Sequence, residues 1–129
     1  MKYDEGFRGF RASCGHACRG IVFAFRSQRN VRVHFLVAVI VLAAAAALRF
    51  GRVEMILTVL TVTMVILAEL LNTALEFAMN IVEARDHPVV KTAKDIAAGG
   101  VLLAVGGSVA VGLLLFGPPL WGLLRSFCR

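Results

Sequence analysis

Cysteine, proline and tryptophan are scarce in this sequence, and acids are outnumbered. There are three cysteines, three prolines and one tryptophan, with eight Asp and Glu against fourteen Lys and Arg. Cys14, Cys18 and Cys128 form an odd set, and a core of this composition does not depend on disulfides, so reduced thiols are expected. Cys14-Gly-His16-Ala-Cys18 crowds three metal-binding side chains into five residues without a second cluster, which reads as helix packing and not as a zinc site. No Pro/Ser-rich linker divides the chain, so one domain over 1–129 is expected. No short apolar segment precedes the first long apolar run, so no cleavable signal is expected and that run should remain as an anchor. A Walker glycine loop, a kinase catalytic loop and a Rossmann fingerprint are also missing, and no motif of that kind announces a nucleotide.

What is abundant is hydrocarbon. The hydrophobic fraction is 59% of 129 residues, against roughly 45–50% in an ordinary soluble domain. A water-soluble fold of this size could not bury that surface. The formal charge of +6 is concentrated ahead of the first apolar run, so its partner is an anionic lipid surface and not nucleic acid. Over residues 5–30, Phe7, Phe10, Cys14, Ala17, Ile21 and Phe25 recur at three- and four-residue steps, with Arg8, Arg11, Arg19 and Arg26 largely elsewhere. That pattern predicts an amphipathic helix in the membrane interface. Gly6, Gly9, Gly15 and Gly20 weaken it in isolation, so its order should come from lipid or from packing.

Transmembrane helices are predicted over 31–48, 53–82 and 96–116, the last ended by Pro118-Pro119. The fold class is therefore all-α: an N-terminal amphipathic surface helix plus three membrane spans. Ten of the Lys and Arg residues lie in the N-terminal arm and the 83–95 loop, and four in the 49–52 turn and the C-terminal tail. By the positive-inside rule the N-terminus and the 83–95 loop are cytoplasmic.

The second span carries acids where apolar residues are expected. A charge at mid-membrane costs several kcal/mol and calls for a reason. Glu69, Asn72, Glu76, Asn80 and Glu83 follow one another at three, four, four and three residues, which puts all five on one face. At about 1.5 Å rise per residue, Glu69 lies roughly 10 Å deeper than Glu76. One carboxylate is thus at the depth of a lipid hydroxyl, and the other is near water. Phosphoryl transfer from a soluble donor to a lipid alcohol needs a carboxylate-held metal, a cation on the moving group and an acceptor for the hydroxyl proton. Lys94 and Asp95, just before the third span, add a cation and an acid. Interhelical hydrogen bonding alone would account for such a stripe, and an ion or proton carrier would account for its acids but not for Lys94-Asp95. His16, His34 and His87 are isolated and read as structural or interfacial.

Glu69-Leu-Leu-Asn72-Thr-Ala-Leu-Glu76 and Ala93-Lys94-Asp95-Ile-Ala-Ala-Gly99 together resemble the small prokaryotic diacylglycerol kinase family, which includes the undecaprenol kinases. Arg29-Asn30-Val-Arg32-Val-His34 is similar to the undecaprenol kinase branch, and the likeness extends over about residues 7–116. The resemblance implies a homotrimer in the bacterial inner membrane, using ATP and Mg2+ to phosphorylate diacylglycerol or undecaprenol. It implies Glu69 as catalytic base, Asn72 with Glu69 as the acceptor site, Glu76 as metal ligand, Lys94 on phosphate and Asp95 in the nucleotide site. Two positions depart from the family pattern: Gln28 stands where a glutamate is usual and Asn80 where an aspartate is common. At the metal and nucleotide site Gln28 still offers an amide oxygen, but no charge. A non-enzymatic scaffold that keeps the fold with a weakened metal site is the alternative reading.

Overall fold

A chain in lipid must satisfy its own amides, and for single segments only the helix does so. The computed structural model describes residues 2–82 and 87–127, and the side chains of 9–81 and 87–126. Its order is α1 (Lys2–Ser27), α2 (Arg29–Ala47), α3 (Arg52–Val82) and α4 (Pro88–Phe127). The last three are long and apolar enough to cross a membrane. Glu83, Arg85 and Asp86 of the expected loop, and Cys128, lie outside the described residues.

The breaks between helices have local causes. Gln28 leaves helical geometry at φ −109°, ψ 123°, which ends α1 and starts α2, so residues 29–30 belong to α2 and not to the amphipathic helix predicted over 5–30. Arg32 Nη1 donates to Arg26 O across this joint at 3.0 Å. At the other end of α2, Arg49 takes φ 54°. Phe50 N–H donates to Ala45 O at 3.1 Å and Arg49 N–H to Ala46 O at 3.0 Å, the paired closure of a Schellman motif. A non-glycine residue in that conformation gives the tight turn that returns the chain as α3.

The third span differs most from expectation. α4 begins at Pro88 and not at residue 96, and it runs through Pro118-Pro119 to Phe127 instead of ending there. Proline at the first helical position loses no bond, because that amide has no intrahelical partner, and its φ is already helical. His87 caps the start, Val89 N–H donating to His87 Nδ1 at 3.3 Å. Inside the helix, each proline forfeits one bond to the carbonyl four residues back, a local cost that kinks a helix without requiring it to stop. The turns beyond remain ordered, with the Arg125 guanidinium 5.4 Å from the Trp121 ring, a contact one helical turn makes.

α3 packs against both α2 and α4, and α1 against α2 and α3. The seam between α2 and α3 is read from burial: Val31, Ala38 and Ala45 on one helix and Thr58, Val65 and Asn72 on the other, each series stepping by seven. That repeat is the knobs-into-holes period, and small residues on α2 let the backbones approach. Phe25 meets Phe35 edge-on at 5.5 Å, Phe23 meets Phe77 at 5.6 Å, and Phe50 meets Phe116 at 4.6 Å. These contacts join α1 to α2, α1 to α3, and the α2–α3 turn to α4.

Candidate functional site

α3 carries the site because its seam face is where polar side chains escape lipid. Glu69 is 4% exposed and Asn72 9%, with Thr73 buried beside them. Asn72 Oδ1 is buried and has no hydrogen-bond partner. A buried amide oxygen left unpaired costs about 1–3 kcal/mol, and it is a ready acceptor for a ligand hydroxyl. Glu76, one turn beyond Asn72, is half-buried, and Asn80, one turn further, is exposed. The stripe thus passes from the bundle interior to its open end, in the order its spacing predicts. Glu83, its last member, lies outside the described residues.

α4 brings Lys94 to that open end. The Lys94 ammonium donates to Asn80 Oδ1 at 2.7 Å. Asp95, its neighbour in sequence, is exposed. Gln28 sits at the α1–α2 joint as the residue before α2, and its side chain makes no capping bond there. The Phe23–Phe77 contact lays the C-terminal half of α1 against α3 one residue from Glu76.

Against the sequence expectations, the structure gathers Glu69, Asn72 and Glu76 on one helix face and adds Lys94 through Asn80. The residue that sequence reasoning underused is Asn80, read as a member of the polar face and as a departure from the family's aspartate, but not as a partner of Lys94. The available signal was its place: Asn80 and Lys94 end and begin consecutive antiparallel helices, fourteen residues apart.

A groove of about 480 Å³ runs between α2, α3 and α4, lined among others by His34, Ala38, Val65, Ser108, Val109 and Gly112. It reaches Val65, one turn from Glu69. Its hydroxyls face back on their own helices, Thr58 donating to Glu54 O at 2.7 Å, Thr61 to Leu57 O at 2.6 Å and Ser108 to Val105 O at 2.8 Å. Apart from His34, the walls are therefore hydrocarbon in effect. Cys14 and Cys18 are exposed on α1, and Arg19 donates to His16 Nδ1 at 2.8 Å between them. Among the described residues no three of His, Cys, Asp and Glu come together as a metal cluster.

A carboxylate shielded from water and a lysine at the open end of the same helix pair suit an enzyme that joins an aqueous substrate to one dissolved in lipid. Comparison with known proteins places the chain with the membrane lipid kinases. Residues 15–116 match the family of prokaryotic diacylglycerol kinases, and the chain belongs to that family. A diacylglycerol kinase of Synechocystis sp. is 41% identical over 110 residues, covering 84% of this chain and 63% of that protein, so the chain spans less than two thirds of that relative. An undecaprenol kinase of Bacillus subtilis is 36% identical over 111 residues, covering 86% of this chain and 90% of its own length. A diacylglycerol kinase of Pseudomonas aeruginosa is 28% identical over 105 residues, or 81% and 85% of the two chains.

Proposed function

We propose that this chain transfers the terminal phosphate of ATP to the hydroxyl of a membrane alcohol, diacylglycerol or undecaprenol. The observation that carries the reading is the division of depth along α3. Glu69 is 4% exposed, whereas Asn80 is exposed and bonded to Lys94. The lipid chain lies in the apolar groove, which brings its hydroxyl towards the Glu69 level. Asn72, with its uncommitted carbonyl oxygen, orients that hydroxyl. As the hydroxyl oxygen bonds to the terminal phosphorus, Glu69 takes its proton, the bond to the leaving phosphate oxygen breaks and ADP departs. Lys94 counters charge on the phosphates, and Asp95 supports the nucleotide from the exposed side.

The donor set fits magnesium: Glu76 and Gln28 offer hard oxygen ligands, too few for a dedicated cage, as suits an ion that arrives with a triphosphate. When bound, magnesium neutralises phosphate charge. In this reading the protein works in the inner membrane as a homotrimer, as the family resemblance implies, with α1 on the anionic cytoplasmic surface, an orientation that the arginines of α1 support. Incubation of the purified protein with terminally labelled ATP and extracted membrane lipids should move label into the organic phase. The scaffold reading predicts that none moves.

Two further results are expected. With the native cysteines removed, Val89→Cys should be shielded from an impermeant thiol reagent in intact cells, whereas Gly51→Cys should react. The reverse pattern would put Lys94 on the side away from ATP and remove the kinase reading. At the metal, Gln28→Glu should lower the magnesium concentration for half-maximal activity several-fold by adding an anionic oxygen, and Gln28→Ala should raise it. Unchanged magnesium dependence in both variants would show that the α1–α2 joint does not reach Glu76.

A further inference from the structure

Helix register tells which end of the apolar groove meets the site. α2 and α3 run antiparallel from the Arg49 turn, with Ala38 and Val65 in one seam, so His34 falls within about one turn of the Glu69 level. The Lys94–Asn80 bond sets α4 against α3, and equal steps along α4 from Lys94 and back along α3 from Asn80 bring Val105 level with Glu69. His34 and Val105 both line the groove. Its polar exception is therefore at the Glu69 end, and the hydroxyls further along are committed to their own helices. At the opposite end stands Phe116, its ring 4.6 Å from that of Phe50 on the α2–α3 turn. The groove has a head end and a floor.

Length and volume agree on what fits between them. α2 lines the groove from Val33 to Ala44 and α4 from Val105 to Leu120, which is about 17 Å on one wall and about 22 Å on the other. The volume is about 480 Å³, and at about 30 Å³ for a water-sized group it takes about sixteen methylenes. That is one group for about every 1.2 Å of length, the advance of a single extended carbon chain and not of two abreast. We infer that the groove gauges one hydrocarbon chain of about sixteen carbons, with Phe116 as the stop that sets its length, while any further chain of the same lipid stays in the bilayer. The inference rests on the kinase reading above for the identity of that lipid, the acceptor alcohol.

Two substitutions should move the gauge in opposite directions. Phe116→Ala removes the ring at the floor. Gly112→Leu places a side chain part-way along the groove, where an added Cβ meets nothing within 4 Å, and leucine suits a helix better than glycine. The full chain in phosphatidylcholine vesicles is assayed with ATP, magnesium and a series of monoacylglycerols. Wild type should show its highest kcat/KM near about sixteen carbons and about fivefold less at about twenty. Phe116→Ala should move the optimum about four carbons longer, and Gly112→Leu about four shorter. Comparing the proteins on one lipid series cancels the partition of each chain into the vesicle. One optimum shared by all three proteins, or a steady rise with length in wild type, would overturn the inference. Gly112→Leu decides alone if Phe116→Ala fails to fold.

A second arm needs no catalysis. Monoacylglycerols carrying a diazirine on the last carbon are photolysed in the same vesicles, and the labelled residues are mapped by mass spectrometry. A chain of about sixteen carbons should mark Ala44 and Phe116, and one of about ten carbons should mark residues near Gly112. Labels that do not shift with chain length would overturn the inference. So would labels only outside the groove, which would mean that a second copy of the chain fills it. Labels ordered by length in a protein transferring no phosphate to any lipid would instead remove the kinase reading and leave the gauge standing.

Discussion

Glu69→Gln is expected to lower kcat about a hundredfold or more while the KM for ATP stays within about twofold. The substitution is nearly isosteric, so it removes the proton acceptor without emptying the space. Glu69 is 4% exposed and lies on the α3 seam, so water is poorly placed to replace it as the base. ATP should be unaffected, since Glu69 is roughly 10 Å along the helix from Glu76 and further from Asn80. Steady-state kinetics on a single purified lipid alcohol, with nucleotide binding followed separately, would measure both quantities. A loss of ATP affinity equal to the loss of kcat would mean that Glu69 acts on the nucleotide or holds the bundle.

Glu76→Gln should act on the metal and not on the base. Its expected effect is a shift of the magnesium dependence to about tenfold higher concentration, with most of kcat recovered at saturation. Glu76 is half-buried, between the shielded Asn72 and the exposed Asn80, at the level that α1 reaches through the Phe23–Phe77 contact. If Gln28 is the second oxygen, this chain brings one anion to the metal, and removing it should matter more than it would in a site with two. Titration of activity with magnesium at fixed ATP measures the shift. Equal and mild effects of Glu69→Gln and Glu76→Gln would favour a stripe that only binds helices together.

The spans were legible because lipid imposes a simple requirement: about twenty apolar residues that satisfy their own amides. That rule found α2 and α3 to within two residues at each end. It missed both ends of α4 for related reasons. Hydropathy excluded the first turns, where Lys91, Lys94 and Asp95 interrupt the apolar run, although Pro88 and the His87 cap start the helix there. Pro118-Pro119 is a stop signal in isolation, yet a helix can continue past it when the following turns keep their own contacts, as Trp121 and Arg125 do. The order of the site residues along α3 followed from spacing, since 3.6 residues per turn places 69, 72, 76 and 80 on one face. Which of them are shielded did not, because burial depends on where α2 lies. The Lys94–Asn80 bond was hidden for the same reason: it joins two helices, and no periodicity within either one reports it.

The central claim is that phosphate passes directly from ATP to a lipid hydroxyl at this site, and the measurement that tests it most directly is stoichiometry. Purified protein in vesicles, supplied with terminally labelled ATP, magnesium and one lipid alcohol, should release one ADP for each labelled phosphate recovered in that lipid. It should turn over little ATP when the alcohol is omitted. ADP formed without lipid phosphate, or no dependence on the alcohol, would contradict the account.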